Sequence, residues 1–206
     1  YRNLMLDEEG RSLERVLDLG NMEFLIMRLP ELVGSPLSVN ALREDLRVSH
    51  KAVANWISIL ERLYALFRIS PFGGPRIRAI HKAQKHYHTD WSLVPEPGPR
   101  FENLVGCPLL KWVHHQQDTQ GRDLALSYFR DRDGREVDFV VAERGQPVMA
   151  VECKWAETAV ERGLRYFKAR FPDAEAWQVT GDANRDFTSP EGIRVCPALQ
   201  LLRRLV

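Results

Sequence analysis

The stretch from Gly134 to Lys154 admits few folds. Its flanks, Glu136 to Ala142 and Val148 to Cys153, are apolar and rich in Val, and Gly145-Gln146-Pro147 separates them. That composition predicts two buried strands joined by a tight turn, a β-hairpin. Asp138 precedes Glu152 by thirteen intervening residues. With the hairpin centred on Gly145, the two carboxylates face each other with Cβ atoms roughly 5 Å apart. Lys154, two positions further on, shares the face of Glu152.

Two carboxylates placed opposite one another repel, and a divalent cation between them removes that cost. Mg²⁺ suits such a pair because it takes one or two carboxylates, keeps several waters and completes its octahedron with phosphate oxygens. Carboxylate and water ligands accept Mn²⁺ as well, and Mg²⁺ is named here by abundance. Lys154 could orient an attacking water or offset developing phosphoryl charge. The pattern therefore points to a site that cuts phosphodiesters, although a solvated sheet face carrying an ordinary Glu and Lys has the same spacing.

With 206 residues and 44% hydrophobic content, the chain can bury a sizeable core or two small ones. We read two domains, 1–94 and 95–206. No apolar run approaches membrane-spanning length, and the start at Tyr1 carries neither a signal peptide nor an initiator Met, so the chain reads as a soluble fragment with no membrane partner. Cys107, Cys153 and Cys196 are far apart and lack C-x-x-C spacing, which argues against disulfides and structural zinc and predicts a reducing cytoplasm.

The net charge of +1 conceals an uneven distribution. From Arg47 to His88 there are eight Lys or Arg residues against the single acid Glu61, whereas the flanking segments are both net acidic. Such asymmetry points to a polyanionic partner or to a solvated face. Ser38 can cap a short helix with Val39, Leu42 and Leu46 on one side, and Ser49 a second helix after a tight turn, which is helix-turn-helix spacing. In the second helix Val53, Trp56, Ile57, Leu60 and Leu63 form a core stripe, leaving His50, Lys51, Asn55 and Arg62 outward to meet DNA. An apolar segment, Leu66 to Ile69, then leads through Pro71-Phe72-Gly73-Gly74-Pro75 into a basic strand with Arg76 and Arg78, the pattern of a wing, and Lys82 and Lys85 extend the positive surface. Winged helices also dock proteins, so an acidic partner domain is the alternative target. His81, His86 and His88 lack a completing carboxylate or Cys spacing and read as structural or phosphate-proximal.

Pro95-Glu96-Pro97-Gly98-Pro99 predicts a rigid, non-helical connector between the domains. A helix starts near Phe101, carries Phe101, Leu104, Val105 and Leu109 on its apolar side, directs Glu102 toward the hairpin, and kinks at Pro108. A strand over Leu124 to Arg130, the hairpin, a helix from about Glu157 to Arg170 and a strand over Ala174 to Thr180 complete an αβββαβ order. The expected class is α/β, α+β overall.

That order, with Glu102, Asp138 and Glu152-Cys153-Lys154, resembles the core of the PD-(D/E)XK nuclease superfamily. The strings FENLVGCPLLKWV, YFRDRDGREVDFVV, PVMAVECKW, LRYFKARFPDAEAWQV and GIRVCPALQLL are similar to the C-terminal region of a group of prokaryotic predicted AAA+ ATPases. The helix-turn-helix segment fits too, so the resemblance covers nearly the whole chain. It implies a winged helix joined to a nuclease-like domain, with Asp138 and Glu152 holding the metal, Glu102 supporting it and Lys154 assisting the attacking water. Gln178 is a further candidate, and Arg130 and Arg135 either hold the scissile strand or flank a loop. No G-x-x-x-x-G-K-[ST] is present, so ATP would act only through an upstream ATPase domain of the parent protein. Gly106-Cys107-Pro108 is expected to interrupt the first helix and displace Glu102. The functional expectation is a DNA-binding module with a metal-dependent endonuclease site. The alternative is a non-catalytic DNA- or protein-binding regulatory module on the same scaffold.

Overall fold

A computed structural model describes residues 19–73 and 84–205. The chain is a mixed α/β protein. Residues 19–28 are helical (α1), followed by a 3₁₀ turn at Leu29–Leu32, α2 at Val39–Leu46 and α3 at His50–Arg62. Ser38 and Ser49 cap α2 and α3 as the sequence predicts, their hydroxyls accepting from the amides of Ala41 and Ala52 at 3.2 and 3.1 Å. Each such cap contributes about 1 kcal/mol. Between the helices Arg47 turns the chain through a left-handed conformation with φ 54°. Leu25, Leu29, Leu42, Val53, Trp56, Ile57, Leu60 and Leu66 bury a common apolar core. Leu63, expected in that stripe, is instead 68% exposed, because α3 ends at Arg62 and Leu63 is already its C-cap.

Strands β1 (Leu66–Pro71) and β2 (Lys85–His88) pair antiparallel. After a 3₁₀ turn at Trp91–Leu93 come α4 (Pro97–Gln120), β3 (Leu124–Arg130), β4 (Glu136–Glu143), β5 (Gln146–Lys154), α5 (Arg162–Arg170) and β6 (Glu175–Thr180). β7 (Phe187–Thr188), β8 (Arg194–Pro197) and α6 (Ala198–Arg204), which the sequence reading does not anticipate, close the chain. The described strands form one eight-stranded sheet in the order β2-β1-β3-β4-β5-β6-β8-β7. One core spans it, joining Val33, Ile69 and Tyr87 from the first segment to Val105, Leu109, Phe139 and Val151 from the second. No helix among the described residues is long and apolar enough to cross a membrane.

The expected Pro95–Pro99 connector is not wholly extended. Pro97 opens α4, where a fixed φ and a missing N–H suit a first helical turn. Nor does Pro108 or Gly106-Cys107 break that helix, which runs continuously to Gln120. Gly106 serves packing, since a Cβ there would lie 2.8 Å from Phe139 Cζ. α5 begins at Arg162 rather than near Glu157, because the Glu161 amide donates instead to Gln178 Oε1 at 2.9 Å.

The hairpin forms with Phe139 opposite Val151. Its two loop residues, Arg144 and Gly145, have φ 49° and 82°, the left-handed pair a tight hairpin turn requires. The turn thus sits half a residue before the predicted centre, and a bulge between Val141 and Ala142 restores the predicted register beyond it.

Candidate active site

Continuing the Phe139–Val151 register by one residue sets Asp138 opposite Glu152. Asp138 reaches sideways: its Oδ2 accepts the Cys153 amide at 2.9 Å, where a regular ladder would offer a main-chain carbonyl. Lys154 Nζ lies 3.0 Å from Glu152 Oε1 and 3.1 Å from Glu161 Oε1. Glu102 enters from α4, and its Oε1 accepts from Tyr87 Oη at 2.7 Å and from Lys85 Nζ at 3.3 Å. The four predicted catalytic residues, Glu102, Asp138, Glu152 and Lys154, are therefore gathered in one place, and the uninterrupted α4 keeps Glu102 there.

Lys85 was expected on a positive surface for nucleic acid, but its side chain is 1% exposed and lies in this acid cluster. Its ammonium is 2.6 Å from Glu136 Oε1, 3.3 Å from Glu102 Oε1 and 3.7 Å from Asp138 Oδ1. β1 joins β3 only at Ser70 and Pro71. In the sheet β1 and β3 lie between β2 and β4, so the Lys85 side chain reaches the acids of β4 across two intervening strands. The Lys85 ammonium passes 5.4 Å from the centre of the Tyr128 ring on the intervening β3. Asn103 of α4 holds β2 in place by accepting from His88 N at 2.8 Å and donating to His88 O at 2.7 Å, as a neighbouring strand would.

Burial, reinforced by Glu102 and Glu152, pushes the Asp138 carboxyl well above the usual carboxylate range, against the pull of Lys85. Burial likewise raises Glu152 to about 7, with Lys154 opposing. Glu152 Oε2 is buried and has no hydrogen-bond partner among the described residues. Burial is thus the chief force holding both carboxyls back from ionisation. Glu102, Glu136, Asp138, Glu152 and Glu161 face Lys85, Lys154 and, 3.8 Å from Glu136, Arg130. Fully ionised, this set carries two net negative charges, the complement of one divalent cation. Among the described residues no group of three or more His, Cys, Asp or Glu is arranged to hold a metal ion by itself. A cation here would draw on two carboxylates and on water or phosphate oxygens, a donor set that fits Mg²⁺ and not a closed zinc site.

The remaining candidates are scattered. Lys51, Asn55 and Arg62 are exposed on α3, whereas Arg76, Arg78, Lys82 and His81 lie outside the described residues. Gln178 is fully buried beside Glu152 and bonds the Thr158–Glu161 loop. Arg135 is held by Asp131 and stacks on Tyr166, with its guanidinium 3.7 Å from the ring centre. His86 and His88 are buried, and His86 Nε2 lies 2.9 Å from Leu29 O. Sequence reasoning missed Lys85, Tyr87, Glu136 and Glu161 as site members. Glu136 was legible, being two positions before Asp138 on one strand, but the others reach the site through strand pairing or, for Glu161, helix packing that no local pattern encodes.

The family described as Domain of unknown function (DUF4143) matches residues 97–201, and that described as Domain of unknown function (DUF8612) matches residues 1–96. No curated protein and no solved structure matches the chain.

Proposed function

The chain belongs to the DUF4143 family, and we propose that it is a DNA-binding module with a metal-dependent phosphodiester-cleaving centre at Asp138 and Glu152. The family is commonly found in AAA-ATPase-associated proteins, which supports an ATPase domain of the parent protein as its partner. In this reading the first segment is a winged helix that delivers duplex DNA through Lys51, Asn55 and Arg62. The α4-β3-β4-β5-α5-β6 order is then a nuclease-like core. The observation that carries the proposal is the clustering of Glu102, Asp138, Glu152 and Lys154, with Glu152 Oε2 buried and unpartnered.

Asp138 and Glu152 would hold Mg²⁺ or Mn²⁺, which supplies Lewis-acid polarisation and a more acidic water. The Cys153 amide orients Asp138, and Glu161 holds the Lys154 ammonium beside Glu152, where it can orient water or offset charge on phosphorus. The test titrates Mg²⁺ and Mn²⁺ calorimetrically into wild type and Asp138→Asn, with and without a short duplex, beside a DNA cleavage assay. Cation binding and cutting are expected to vanish in the variant while DNA binding stays. Residual cutting by Asp138→Asn sinks the assignment. A non-catalytic scaffold is the second reading, favoured by the ammonium already lodged among the acids, and absence of cation binding in every condition would select it.

A further inference from the structure

Lys85 belongs to the segment matched as DUF8612, yet its charge lies among acids of the segment matched as DUF4143. Its Nζ is within salt-bridge distance of Glu136, Glu102 and Asp138, and the side chain is sealed from solvent. A buried ammonium persists only when paired and hydrogen-bonded, so these three carboxylates are its solvation shell. Two-metal phosphodiesterase sites place their ions about 3.5–4 Å apart, bridged or flanked by carboxylates of this kind. An ammonium 2.6 Å from Glu136 Oε1 and 3.3 Å from Glu102 Oε1 takes the place beside those oxygens that a second metal ion would need, whereas Asp138 Oδ1, 3.7 Å away, and the unpartnered Glu152 Oε2 stay open to a cation. With every acid ionised, the two net charges left over match one divalent cation.

We propose that Lys85 is a resident cation of the acid site, a positioning residue standing where a second metal ion would otherwise be needed. The site then takes one divalent cation, not two, and neither family segment completes it alone. The count of one rests on the reading of Asp138 and Glu152 as the cation site; the resident-cation role does not.

The test is the Mn²⁺ stoichiometry of the full chain by calorimetry, for wild type and Lys85→Met, with thermal melts in Mn²⁺ and in EDTA. One ion is expected in wild type. Lys85→Met should bind one ion more than wild type, melt lower in EDTA, and recover in Mn²⁺ by more than wild type gains. Two ions in wild type overturn the proposal without recourse to any variant. So does a Lys85→Met protein that binds no more Mn²⁺ than wild type, or one that stays unfolded in both buffers, because a cation then does not replace the ammonium. Wild type binding none while Lys85→Met gains one ion would keep Lys85's role and remove the Asp138–Glu152 reading.

Discussion

Gly163 lies in α5 directly over β4, and replacing it with Ala tests how the helix is seated beside the site. A Cβ there would lie 1.9 Å from the Glu136 carbonyl oxygen and 2.9 Å from Glu136 C and N. These are backbone atoms of a strand inside the sheet, so the strain cannot be relieved by a side-chain rotation. An ordinary C···O contact of about 3.3 Å requires the helix to retreat by about 1.4 Å. That retreat loosens Leu164 and Phe167, both fully buried against Val137, Val140 and Ala150. Overpacking costs about 1–3 kcal/mol, and losing half the burial of two large side chains adds about 2 kcal/mol. Ala gains about 1 kcal/mol over Gly in helix propensity. The net loss is about 3 kcal/mol, or a fall in Tm of about 6–12 °C for a chain of this size. Urea unfolding and a thermal melt measure it, with Gly98→Ala in α4, where nothing lies within 4 Å of the new methyl, as the neutral control. Equal stabilities for the two variants would refute the seating of α5 on β4.

Asn103→Ala should strip the His88 amide of its partner and leave His88 O only the Cys107 thiol, costing about 1–3 kcal/mol and speeding exchange of the His88 amide on edge strand β2. Unchanged amide protection would count against that bridge. Tyr87→Phe removes the 2.7 Å bond to Glu102 and should cost about 1–3 kcal/mol in urea unfolding, with no change in chain fold by circular dichroism. His86 gives a pH dependence of known sign. Burial lowers it from 6.5 to about 4, so between those values the unfolded chain binds more protons than the folded one. Stability contributed by neutral His86 is complete above about pH 6.5 and is lost as pH falls to about 4. The stability difference between wild type and His86→Gln should therefore shrink by up to about 3 kcal/mol over that interval. A difference that does not vary with pH would contradict the burial of this imidazole.

Much of the fold was legible because local rules act without competition. Ser38 and Ser49 cap where predicted, and β3 spans Leu124–Arg130 as read, since short-range hydrogen bonding and a period of two decide such features. The errors arose where packing overrode local preference. Pro108 looks like a helix breaker, yet α4 runs through it, with Gly106 fitted against Phe139 and Cys107 Sγ 3.3 Å from His88 O. β7, β8 and α6 were missed because Phe187–Thr188 and Arg194–Pro197 are too short for periodicity to register and become strands only by pairing with β6 and each other.

The sequence by itself determined the hairpin, the order α-β-β-β-α-β around it and the facing of Asp138 and Glu152, because these depend on alternation over a few residues and one turn. Only the tertiary structure decided what surrounds those carboxylates. Lys85 reads as one more charge in a basic run, and its burial among the acids follows from the pairing of β2 with β1 and of β1 with β3, which joins the two segments in one sheet. Joining residues 85, 102, 136, 138 and 152 takes contacts across more than sixty positions of chain, and the energy that holds them is long-range burial, which leaves no local pattern behind.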